Sequence, residues 1–158
     1  MTLWKSAILV AFIFLPASFL VAQGRALDEK VVLLTSSDAS ASLSKHQVIS
    51  CFAQLAREWQ VQERNLPAVV VFQVSKRAAE AVHINDKLAV RKNSRVGEEP
   101  EYFELWLVGT PDVRPLVVAL ENVLESHFQL QITDQQRNTV MARVIRVQSA
   151  TVDVAEGK

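Results

Sequence analysis

The stretch Glu101–Leu130, EYFELWLVGTPDVRPLVVALENVLESHFQL, constrains the fold more than any other part of the chain. Tyr102 to Val108 alternates as a strand does, with Phe103, Leu105 and Leu107 on one face and Tyr102, Glu104, Trp106 and Val108 on the other. Both faces are largely apolar, so one is expected to be fully buried and the other partly covered. Gly109 to Asp112 is the turn, and Pro115 fits the first turn of the following helix, where a missing N–H costs little. Within that helix Leu116, Leu120, Val123, Leu124 and His127 share one side, with Val117 and Phe128 at its margin. Glu121, Asn122, Glu125 and Ser126 lie toward the other, read as a solvated face.

The preceding segments supply the rest of a sheet. Val31–Thr35 (VVLLT) and Val69–Val74 (VVVFQV) read as buried strands. Between them Val48, Ile49, Phe52, Leu55, Ala56 and Trp59 recur at helical spacing, with Ser42 or Ser44 as the cap and Pro67 as the stop. Two strands joined by such a helix lie parallel with a right-handed crossover. A short helical piece follows over Ser75–Ala81. Val82–Ile84 and Lys87–Arg91 flank Asn85-Asp86, which predicts a hairpin. Arg91–Pro100 is the most polar stretch and reads as an exposed loop. Thr133 and Gln136 have capping-box spacing and open a last helix over about Asp134–Val147, with Val140, Met141, Val144 and Ile145 buried. Thr151–Val154 is either a short closing strand or a tail. The expectation is one α+β domain over residues 25–158: a small mixed sheet of about four to five strands, with Tyr102–Val108 as an edge strand and two C-terminal helices.

Composition bounds the partners. A hydrophobic fraction of 49% against 22% charged residues suits a globular core and excludes a disulfide scaffold or a disordered tail. The 17 basic residues match the 17 acidic ones. No long-range field then draws the chain to nucleic acid or an anionic surface, and neither partner is expected. At the N-terminus one positive charge, the apolar run Ser6–Ala22 and the small residues Ala22 and Gly24 read as a signal peptide, residues 1–24, cleaved after Gly24. The protein is therefore expected to be exported, periplasmic or extracellular; an uncleaved membrane anchor is the alternative. Cys51 is the only cysteine, so no intramolecular disulfide forms. On a helix, His46 points about 140° away from it, and Cys51 reads as a small buried hydrophobe.

A sheet with helices over one face, and a strand of the YFELWLV kind running directly into a helix, resembles the N-terminal half of the zincin metallopeptidase fold. In that family the strand lines the substrate cleft, and the helix carries HExxH, two zinc-binding histidines and a glutamate general base. The corresponding residues here are Leu120-Glu121-Asn122-Val123-Leu124. The glutamate matches and both metal-ligand positions are leucine, so the resemblance implies a scaffold without the metal and without that activity. Nothing else restores a site: His127 is rotated roughly 120° from Glu121 and about 160° from Glu125 around the helix. Two glutamates adjacent on one helix face cannot flank a substrate as glycosidase carboxylates do.

No Gly-rich phosphate loop is present, and Ser36, Ser37, Ser40, Ser42 and Ser44 read as a loop and helix cap. His46, His83 and His127 lie on three elements, and the sequence does not say whether they converge. No catalytic residue, metal or cofactor is assigned. For binding, Tyr102 and Trp106 are candidates for an exposed aromatic platform, with burial under the last helix as the alternative; His127 is the third candidate. The expected function is that of an exported, non-catalytic domain binding a protein or peptide partner at a sheet edge. The alternative is a hydrolase whose site includes His127.

Overall fold

A computed structural model describes residues 26–39, 43–93, 102–109 and 112–156. The signal-peptide segment, most of the Arg91–Pro100 loop and Thr110-Pro111 of the turn lie outside these residues. In chain order the elements are α1 (Leu27–Lys30), β1 (Val31–Thr35), α2 (Lys45–Glu58), a 3₁₀ turn (Glu63–Asn65), β2 (Ala68–Val74), α3 (Lys76–Ala81), β3 (Leu88–Asn93), β4 (Tyr102–Val108), α4 (Val113–Phe128) and α5 (Asp134–Glu156). The described strands form one sheet in the order β1-β2-β4-β3. β1, β2 and β4 are parallel, and β3 runs antiparallel to β4. The α+β class, mixed sheet and two C-terminal helices expected from the sequence are present.

The layers follow from side-chain alternation. Val69 and Val71 of β2 and Phe103, Leu105 and Leu107 of β4 face α2, α4 and α5 in the main core. Ala68, Val70, Phe72 and Val74, with Tyr102 and Trp106, point to the other face, where Ala78, Ala79 and Ile84 pack from α3 and the turn after it. All seven residues of β2 are buried, as a central strand covered on both sides requires. Within the main core the Gln73 amide substitutes for a missing backbone neighbour: it accepts from the Leu43 N–H at 3.1 Å and donates to the Leu43 carbonyl at 2.9 Å.

Helix starts are set as the sequence indicated. Ser44 and Gln47 exchange capping-box bonds at the start of α2, and Thr133 and Gln136 do so before α5. Asp112 accepts the Arg114 N–H at 2.9 Å and caps α4. The stops are less conventional. Gln60, His83 and Gln129 each adopt a left-handed backbone, with φ of 56°, 60° and 51°, after α2, α3 and α4 respectively. This conformation is commonly left to glycine.

Several segments differ from expectation. The Val82–Arg91 hairpin does not form. The chain instead wraps the end of α3, with His83 N–H donating to the Glu80 carbonyl and Ile84 N–H to that of Ala79, which buries Ile84 against the sheet. β3 begins at Leu88 and pairs with β4. β4 is consequently an interior strand, flanked by β2 and β3, rather than an edge strand; among the described strands β1 and β3 form the edges. The end of the chain adds no closing strand: without glycine or proline between Val147 and Glu156, α5 continues to Glu156. The polar lead before β1 contains a helical turn that buries Leu27 and Lys30. Lys30 Nζ donates to the carbonyls of Arg64 (2.7 Å) and Leu66 (2.8 Å), tying the start of β1 to the approach to β2.

Candidate functional site

The inner face of α4 is core. Leu120 and Leu124 are completely buried. The same helix holds the largest departure from the sequence reading: Glu121 is not on a solvated face but is 1% exposed. The reason is α5, which packs against that side of α4 and brings Arg137 over the carboxylate. Arg137 Nη2 lies 2.6 Å from Glu125 Oε1, its Nη1 2.7 Å from Asp134 Oδ1, and its Nε 3.5 Å from Glu121 Oε1. Neither Glu121 oxygen accepts a hydrogen bond of good geometry. Burial pushes the Glu121 carboxyl above the usual range and the neighbouring Glu125 pushes the same way, while Arg137 opposes both. The group clamps α4 to α5.

Tyr102 and Trp106 are buried, each 3% exposed, and do not form a surface platform. They also lie on the sheet face opposite α5, so the last helix is not what covers them. Trp106 stacks on Phe72, with ring centroids 4.1 Å apart and planes 11° from parallel. Its indole N–H donates to Glu104 Oε2 at 3.2 Å, and Asn93 Nδ2 donates to Glu104 Oε1 at 3.2 Å and to Tyr102 Oη at 2.5 Å. Glu104 thus supplies acceptors to groups that would otherwise be stranded in an apolar layer. These contacts join β3 to β4 on one face: Asn93 stands opposite Tyr102, Arg91 opposite Glu104 and Ala89 opposite Trp106.

The three histidines occupy different places. His46 is exposed at the start of α2, His83 is exposed in the turn after α3, and His127 is half-buried near the end of α4. The His127 ring meets Phe103 and Phe128 edge-on, with centroids at 6.2 Å and 4.7 Å. Among the described residues no three His, Cys, Asp or Glu side chains gather as metal ligands. Cys51 is fully buried, and burial pushes its thiol up to about 12. Ser36 and Ser75 hydroxyls are spent on Asp38, at 2.9 Å and 2.7 Å, binding the loop after β1 to the end of β2. Ser36 is thus a loop residue and Ser44 the cap of α2; Ser40 and Ser42 lie outside the described residues.

What the fold leaves open is an edge. β3 is the outermost described strand on its side, so its outer backbone N–H and C=O groups have no strand partner among the described residues. Arg91 and Lys92 are exposed along it, and Leu88, Ala89 and Val90 are partly exposed. The inner side is fixed by six register pairs with β4 and by the Asn93, Tyr102, Glu104 and Trp106 contacts. Sequence reasoning missed this site because it assigned the edge to β4. No protein-family model, curated protein or solved structure matches this chain.

Proposed function

We propose that this protein is an exported, non-catalytic binding domain that takes an extended segment of a protein partner along the outer edge of β3. The observation that carries the reading is the edge itself: a six-residue strand paired antiparallel to interior β4, with no described strand along its other side. Strand addition supplies affinity through main-chain bonds, and the flanking side chains supply selectivity. Exposed Arg91 favours a segment carrying an acidic residue. The scaffold is read as a metal-free relative of the zincin arrangement, in keeping with β4 running into α4 and with Leu120 and Leu124 at the ligand positions. The hydrolase alternative centred on His127 draws no support from its packing against Phe103 and Phe128. Export rests on the apolar run Ser6–Ala22. Among the described residues no helix is long and apolar enough to cross a membrane.

The test is photocrosslinking in extracts of the cell envelope, with a photoreactive phenylalanine replacing Arg91 in one sample and Arg146 of α5 in another. The expected result is an adduct from position 91 alone, together with slowed amide exchange over Leu88–Asn93 when the purified partner is added. Equal adducts from both positions, or unchanged exchange in β3, would refute edge binding.

A further inference from the structure

Between α2 and the C-terminal half of α5 lies an open groove of about 560 Å³, lined by Ser50, Gln54, Arg57, Glu58, Val147 and Gln148 among others. Gln148 is 6% exposed and spends its amide N–H groups inside the protein, donating to Ser50 Oγ at 3.0 Å and to Gln54 Oε1 at 2.9 Å. Two complementary groups of these groove-lining residues then make no hydrogen bond among the described residues: the Gln148 Oε1 acceptor and the Gln54 Nε2 donor. Arg57 lies one helical turn beyond Gln54. Its neighbour Glu58 is engaged by Arg143 at 2.8 Å, and Arg57 itself has no ion pair among the described residues.

We propose that this groove binds the C-terminal end of a peptide. A peptide unit presents one N–H and one C=O, which match Gln148 Oε1 and Gln54 Nε2, and the terminal carboxylate matches the forked guanidinium of Arg57. Residues three apart on a helix stand about 5–6 Å apart at their Cβ atoms, which suits a carboxylate and the amide next to it. Val147, half exposed on the rim, offers an apolar contact to the last side chain. The site is separate from the β3 edge and does not rest on that reading.

The experiment is an NMR titration of the full-length ¹⁵N-labelled protein, read at the side-chain amides of Gln54 and Gln148. The probes are N-acetyl-alanyl-valine as the free acid, the same dipeptide as its C-terminal amide, and sodium acetate. The free acid is expected to give saturable shifts at both glutamines, with affinity weakened about tenfold by amidation and by Arg57→Gln. Arg57 is exposed, so this variant keeps the fold, and its other resonances serve as the control. Absence of saturable shifts up to about 20 mM dipeptide, a range that reaches millimolar affinities, would overturn the proposal. Equal binding of acid and amide would overturn the carboxylate contact, and acetate binding as tightly as the dipeptide would overturn the peptide contact.

Discussion

Glu121→Gln is expected to make the protein more stable at neutral pH, although the charge removed lies 3.5 Å from an arginine. Three influences act on the carboxylate, and burial is the largest. Glu125 adds to it, and Arg137 opposes both without giving Glu121 a hydrogen bond of good geometry. Arg137 is already engaged by Glu125 and Asp134, so it is not stranded when Glu121 becomes neutral. Neutralising Glu121 therefore removes a desolvation cost that its pairing does not offset, an expected gain of about 1–2 kcal/mol. At the low end of that range, Tm rises by about 3–5 °C for a domain of this size.

The sign with pH follows from linkage. The folded carboxyl binds its proton more tightly than the unfolded one, whose value is about 4.3. The wild-type contribution is therefore fully present below about pH 4 and is lost as pH rises through the higher folded value, at up to about 1.4 kcal/mol per pH unit. The variant has no such loss. Urea melts of both proteins from pH 4 to 8 should show curves that meet at the acid end and separate toward neutrality, with the variant above. A variant less stable than wild type at pH 7 would mean that the Arg137 pair outweighs burial, and a difference constant with pH would mean that Glu121 does not titrate in this range. Either result refutes the reasoning.

Three further outcomes are expected. His83→Gly should stabilise the protein by about 0.5–1 kcal/mol in urea, because glycine adopts the positive φ without strain, whereas His83→Val should destabilise it, a β-branched residue being least tolerated there. Lys30→Met keeps the aliphatic stem but leaves the Arg64 and Leu66 carbonyls without their donor, a loss of about 1–3 kcal/mol. Burial lowers the Lys30 pKa in the folded protein, so its contribution should favour folding more as pH rises toward the unfolded value of about 10.4, a gain absent from Lys30→Met in alkaline urea melts. Cys51, with its thiol pushed up to about 12, should be inert to a disulfide reagent at pH 8 in the native protein and react fully in denaturant; rapid native labelling would show that the core around α2 opens.

The parts of the fold that were legible are those in which local pattern and tertiary role coincide. VVLLT and VVVFQV are strands because nearly every residue in them suits a pleated, buried surface, and Ser44–Gln47 and Thr133–Gln136 mark helix starts because both partners of each cap lie within four residues. The misreadings arise where the deciding partner is distant or the local rule has an exception. Glu121 looks solvated on the periodicity of α4 alone, and only the approach of α5 with Arg137 makes its side of the helix an interior. Val82–Arg91 looks like a hairpin because Asn85-Asp86 is a good turn, but His83 takes the left-handed position that usually announces itself as glycine, in a chain with only four glycines. Strand order is another such case: that β3 flanks β4 depends on cross-strand pairing, which local alternation does not encode.

The same distinction applies to β4 and α4, whose side chains build the core. Catalysis and metal binding require particular side chains, so their absence at Leu120 and Leu124 is visible in the sequence. Strand addition uses backbone groups that every residue but proline carries in full, and nothing in LAVRKN distinguishes an outer strand from an inner one. The α2–α5 groove is intermediate: Gln54, Arg57 and Gln148 are ordinary helix residues, brought together only when Gln148 reaches across to Ser50 and Gln54, more than ninety positions away.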